Sequence, residues 1–170
     1  MCDRCGFGAG AHAISLAERP AHRLVGWFWE GSHAQARDGA IKPVIRRARE
    51  LSERSSGLWR SPIVGLTWNA GVGNDRPGFF RYFVGIAGDD APAGGTALDL
   101  PEMIFASSWH GADDGGVVEH YMRMIEWIGD EGHARDTVHF AQREEYPNDY
   151  DPDGPLSLRL LLPVKVAADA

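Results

Sequence analysis

Residues 138–155 read VHFAQREEYPNDYDPDGP, and the apolar run LSLRLLLPVKV follows almost at once. Two glutamates and a tyrosine, Glu144-Glu145-Tyr146, therefore stand side by side just before a strand-like segment. In a strand, alternate residues share a face. Phe140, Gln142, Glu144 and Tyr146 are thus expected on one side, and His139, Ala141, Arg143 and Glu145 on the other. A carboxylate among aromatic residues can do two kinds of chemistry. Ionised, it pairs with a cation whose rings stack on its neighbours. Protonated, it is a general acid. A third reading needs no chemistry, only a solvated glutamate on an edge strand with Arg143 or another base nearby.

Aromatic side chains are the other candidates. The chain holds six tryptophans in 170 residues. Trp29, Trp68 and Trp109 lie at or near the ends of strand-like runs and are read as pocket residues, whereas Trp127 and Trp59 read as core. His110 follows Trp109 and points the opposite way along a strand, so it reads as a surface or core histidine. Asp113-Asp114, followed by two glycines and a helical pattern, read as an N-cap and a first-turn acid. Ser107-Ser108 lie in no G-x-S-x-G context. The glycine-rich GFGAGA and GVGNDRPG do not join a strand to a helix, so neither is a phosphate loop. Cys2 and Cys5 form a lone C-x-x-C, to which His12 adds a third donor. A structural zinc site wants four donors, so no metal is assigned, and no cofactor is called for.

The bounds are those of an ordinary globular chain. A length of 170 residues suits one domain or two small halves sharing a core. Hydrophobic residues make up 44% and charged residues 24%, which argues against disorder. The formal net charge of −7 has the wrong sign for binding nucleic acid or an anionic membrane by bulk electrostatics. No apolar run approaches the roughly 20 residues of a membrane span. The first 20 residues lack a basic segment followed by an apolar one, so the expected location is the cytoplasm.

The elements that must position these residues recur. HRLVGWFWEGS and EMIFASSWHGAD are both apolar runs ending in Trp-x-Gly, with Trp29 and Trp109 about 80 residues apart. A helical pattern follows each. In the first, Ile41, Ile45, Ala48 and Leu51 or Ser52 share a face, with Pro43 in the first turn. In the second the face is Val117, Tyr121, Met124, Ile125 and Ile128. Each helix precedes two strand candidates, SPIVGLTWN with FFRYFVGIAG and DTVHFAQREEY with LSLRLLLPVKV, and DDAPAGGTALD reads as the linker. The expectation is an α+β chain of two β-α-β-β halves, about 21–90 and 100–167, after a tail over 1–20. A pseudo-twofold would relate antiparallel sheets and two main helices around a central ligand groove.

This arrangement resembles the GyrI-like small-molecule-binding domain, which also serves as the effector-binding module of AraC-type and MerR-type bacterial transcription regulators. The resemblance spans roughly residues 21–166. It rests on WFWEGS, SSWHGA, RYFVGIA, EEYPND and LRLLLPV in that order. It implies that Glu144 and Tyr146 face an aromatic cavity, with Trp29, Trp68, Trp109 and Phe140 as further ligand contacts. It implies a stand-alone module that binds aromatic compounds, cationic or neutral, and touches no DNA itself, since no helix-turn-helix is read before Ala21. Two other functions follow from the same resemblance. One is a hydrolase that opens cyclopropane rings in alkylating compounds, with Glu144 and Tyr146 as its catalytic pair. The other is a protein-binding inhibitor of the gyrase-inhibitor kind, with a protein partner or a second copy of the chain.

Overall fold

The apolar LSLRLLLPVKV run forms β9 (Ser157–Lys165), which lies inside a large antiparallel sheet in a computed structural model describing residues 13–55, 60–68 and 78–167. The other strands are β1 (Ser15–Arg19), β2 (His22–Ser32), β3 (Ile63–Trp68), β4 (Phe79–Ala87), β5 (Thr96–Leu100), β6 (Met103–Gly111), β7 (Ala134–Arg135) and β8 (Gln142–Tyr146). The helices are α1 (His33–Arg37), α2 (Lys42–Arg54) and α3 (Val117–Asp130). The strands run in the order β1-β6-β9-β8-β3-β4-β2-β5, and β7 pairs with β9. The seam between β8 and β3 joins the C-terminal strands to the N-terminal ones. Outward from it, each side places its post-helix strands first and its Trp-x-Gly strand third.

Local sequence explains the helices. Pro43 sits in the first turn of α2, where a missing N–H is harmless. Ile45, Ala48 and Ser52 are its buried face, as their 3, 4 spacing predicts. α3 buries His120, Tyr121, Met124 and Ile128 and ends at Gly132, whose φ of 74° closes the helix as only glycine does cheaply. Ile125, expected on that inner face, is instead 38% exposed, because His120 takes the other edge of the buried stripe. Asp113 and Asp114 do not cap the helix. Gly116 is the N-cap, and Asp114 Oδ2 accepts from the Gly111 N–H at 2.7 Å, closing the turn out of β6.

Two segments without an apolar run also pair into the sheet. β1 falls within the expected tail and lies along β6, and β5 falls within the expected linker and lies along β2. Both are short edge strands of mixed polarity, SLAER and TALDL, which leave no hydrophobic alternation to read. Cys2, Cys5, His12 and Trp59 lie outside the described residues.

The sheet buries both faces. On one, α2 and α3 cover Tyr82, Val84, Ile63, Tyr146, Leu158, Leu160 and Leu162. On the other, Leu66, Phe83, Phe105, Phe140 and Leu161 form a second cluster.

Candidate functional site

Strand alternation gives the two adjacent glutamates opposite surroundings. Glu145 faces the second cluster's side, where Arg19 Nε donates to its Oε2 at 3.0 Å and Arg143 Nε donates to the same oxygen at 2.9 Å. Arg143 also donates to His22 Nε2, and His22 Nδ1 donates to the Pro20 carbonyl, so the ring is held neutral. Burial alone would push the Glu145 carboxyl up, but Arg19 and Arg143 outweigh it and hold it below the usual value. This carboxylate is fully matched and serves the fold.

Glu144 turns to the helix face and meets no such cation. Its Oε2 accepts the Tyr82 hydroxyl at 2.7 Å and the Tyr146 hydroxyl at 2.8 Å. Its Oε1 accepts the Tyr121 hydroxyl at 3.1 Å. The donors come from β4, β8 and α3, so three elements converge on one side chain. Tyr82, Tyr121 and Tyr146 are buried, while Glu144 keeps partial exposure. Among the described residues, no arginine, lysine or histidine pairs with the Glu144 carboxylate.

Gly65 makes this convergence fit. It sits opposite Glu144 on β3, and the Tyr82 ring lies over it. A Cβ at position 65 would stand 2.0 Å from the Tyr82 hydroxyl oxygen. Beyond the ring of donors, the Tyr150 ring lies against Tyr146 with centroids 4.7 Å apart.

Burial, and then the Glu144 charge, push the hydroxyls of Tyr82, Tyr121 and Tyr146 well above the usual tyrosine value. The phenols therefore stay protonated and act as donors. A group whose folded value is raised stabilises the fold below the unfolded value, about pH 10 for tyrosine, and that stability is lost as pH rises beyond it. Tyr150 is raised too, by burial and by Glu144. An alkaline titration of tyrosinate absorbance is expected to show none of the four tyrosines ionising at the ordinary pH in the folded protein. Most of the signal should instead appear together with loss of near-ultraviolet circular dichroism. Reversible ionisation of Tyr82, Tyr121 or Tyr146 near pH 10 with the fold intact would show that this ring of donors does not exist.

The sequence candidates divide across the sheet. Trp29 lies on Glu144's face, paired with Tyr82 and packed on Phe80 at 5.3 Å. Trp68 lies on the opposite face, against Phe28 and Phe140. Trp109 is also on the far face, 40% exposed, because its neighbours Ser108 and His110 are the residues that turn towards α3. Phe140 was expected beside Glu144, but β8 begins only at Gln142. The chain before it is irregular, alternation does not carry back, and Phe140 stacks on Phe105 in the second cluster. Tyr82 and Tyr121 complete the site without any local sequence mark of it. Both stood on inward faces of their elements, but nothing local tied them to residue 144.

No protein-family model matches the chain, and no curated protein matches it in sequence. Solved structures do match its fold. The C-terminal domain of EcmrR superposes with a TM-score of 0.64 at 14% identity, over 91% of this chain and 98% of that one. SAV2435 bound to tetraphenylphosphonium superposes with a TM-score of 0.61 at 17% identity, over 90% and 94%. A hydrolase from Listeria innocua superposes with a TM-score of 0.53 at 15% identity, over 94% and 95%. The fold is the GyrI-like one. In this chain the seam strands β3 and β8 carry Gly65 and Glu144 face to face, and β4, β8 and α3 supply the phenols.

Proposed function

We propose that this chain is a small-molecule-binding module whose ligand is a lipophilic aromatic cation, held at the Glu144 site. One observation carries the reading. Glu144 is part-buried, receives three neutral O–H donors and has no cationic partner among the described residues. Three donors offset much of the cost of desolvating a carboxylate, but they leave its charge uncancelled. A cation with aromatic substituents supplies the missing charge, and Tyr146, Tyr150 and Trp29 offer ring faces to it. Glu144, Tyr146 and Trp29 among the sequence candidates form this site together with Tyr82 and Tyr121. Trp68, Trp109 and Phe140 drop out, because the sheet separates them from Glu144. The similar structure of SAV2435 with tetraphenylphosphonium supports this choice of ligand class. Calorimetric titration with that cation and with a neutral triaryl analogue tests it. Binding of the cation in clear preference is expected, and equal or absent binding would sink the reading.

The hydrolase alternative draws on the Listeria innocua neighbour. Against it, Tyr146 is held well above its usual value, which makes it a poor proton donor to a substrate.

The reading places the chain in the cytoplasm as a sensor or sequestering module. Among the described residues, no helix is long and apolar enough to cross a membrane. Specific binding of duplex DNA by the purified chain is not expected at a net charge of −7. A gel shift at low salt should leave the duplex free, and tight sequence-dependent retardation would contradict this.

A further inference from the structure

The segment 147–156 joins β8 to β9. Among the described residues its backbone hydrogen bonds close on itself, from Tyr150 N to Pro147 O and from Gly154 N to Asp151 O, both at 2.9 Å. The Asp153 N–H likewise donates within the loop, to Asp151 Oδ1. Three side chains hold the loop down. Tyr150 is 9% exposed and lies on Tyr146, a donor to Glu144. Leu156 packs on the first core. Asp153 reaches across to the first turns of α2, where Lys42 Nζ donates to its Oδ1 at 3.1 Å and Arg46 donates to its Oδ2.

We propose that this loop is the gate of the Glu144 site, with Tyr150 as its plug and the Asp153 pairs with Lys42 and Arg46 as its latch. The inference rests on the cation-binding reading for the ligand, not for the latch. Lifting the loop removes the Tyr150 ring from Tyr146 and opens a way to Glu144. The three latch side chains are each about half exposed, so the pairs are weak. A weak latch suits a gate that opens readily. Because it spans from α2 to the β8–β9 loop, it couples the two halves of the sheet at the point of entry.

Asp153→Asn separates this from simple electrostatic steering. Asp153 is negative and lies near the entrance, so as a steering charge its loss slows association of a cation. As a latch, its loss speeds association. Stopped-flow tryptophan fluorescence with tetraphenylphosphonium is expected to show both association and dissociation faster by about fivefold in the variant, with Kd almost unchanged. Hydrogen exchange on the same proteins without ligand should show amides of 147–156 exchanging faster by a similar factor, while α3 and the centre of β9 stay as in the wild type. The swapped triple variant Asp153→Lys, Lys42→Glu, Arg46→Glu should restore slow exchange. Slower association in Asp153→Asn, or unchanged loop exchange, overturns the latch. If the wild type binds no cation, the functional reading fails by itself, and the exchange comparison still decides whether the latch holds the loop.

Discussion

Glutamine at position 144 is expected to weaken tetraphenylphosphonium binding by roughly tenfold to a hundredfold, the range of a charge-assisted contact. Affinity for a neutral triaryl analogue should stay within about twofold of the wild type. The substitution keeps the side chain's shape and takes away its charge. It also puts an amide N–H where Glu144 now accepts, so one of the phenols must turn to accept in its place. The fold should tolerate this, because the phenols keep a polar partner, and stability should change by about 1 kcal/mol or less. Calorimetry on the two proteins with the two ligands reads the result. Equal loss for cation and neutral analogue would mean that the change damaged the pocket's shape and did not remove a charge partner. Intact binding with collapsed ring-opening of a cyclopropane-bearing alkylating compound would favour the hydrolase reading.

Alanine at position 65 is the smallest change that should break the site from below. Its Cβ would stand 2.0 Å from the Tyr82 hydroxyl oxygen and 2.6 Å from the carbon that bears it. Tyr82 cannot swing freely, since it is 2% exposed and packs against Phe80. Its hydroxyl is also engaged by Glu144. Overpacking of this kind costs about 1–3 kcal/mol. Denaturant unfolding of Gly65→Ala should show that loss, and cation affinity should fall with it as Tyr82 is displaced from the carboxylate. Tyr82→Phe removes the atom that meets the new methyl group first. In that background Gly65→Ala should therefore cost less, giving a coupling energy between the two sites. Strictly additive effects would mean that the ring does not lie over Gly65 as described.

Much of this fold was legible in the chain. The Trp-x-Gly strands and the C-terminal strand are apolar runs, the two main helices carry a 3.6-residue period, and all five form where these signals put them. β1 and β5 leave no such mark, because an edge strand of five mixed residues has neither an apolar run nor a period. α1 leaves none either, because its start signal is a capping box, Ser32 with Gln35, and not an apolar stripe. The division of Glu144 from Glu145 was also legible. Alternation within β8 required opposite faces, and Arg143 was already on the side of Glu145. The same rule failed for Phe140, which precedes the first hydrogen-bonded residue of the strand.

By itself, then, the sequence determined which side chains share a face, because that depends only on the two-residue repeat of a strand and the 3.6-residue repeat of a helix. It placed a carboxylate and a phenol two residues apart on one face of β8. Only the tertiary structure decided which face the carboxylate shares with which aromatics. Tyr82 stands 62 residues from Glu144 and Tyr121 stands 23 away. Their meeting depends on β3 pairing with both β4 and β8, and on α3, packed over β6 and β9, pointing Tyr121 at Glu144. The same packing sent Trp68 and Trp109 to the far side, although their composition and strand-end positions made them look equivalent to Trp29. Sheet order and helix placement are set by which apolar faces bury one another across the whole chain, and no window of neighbouring residues contains that information.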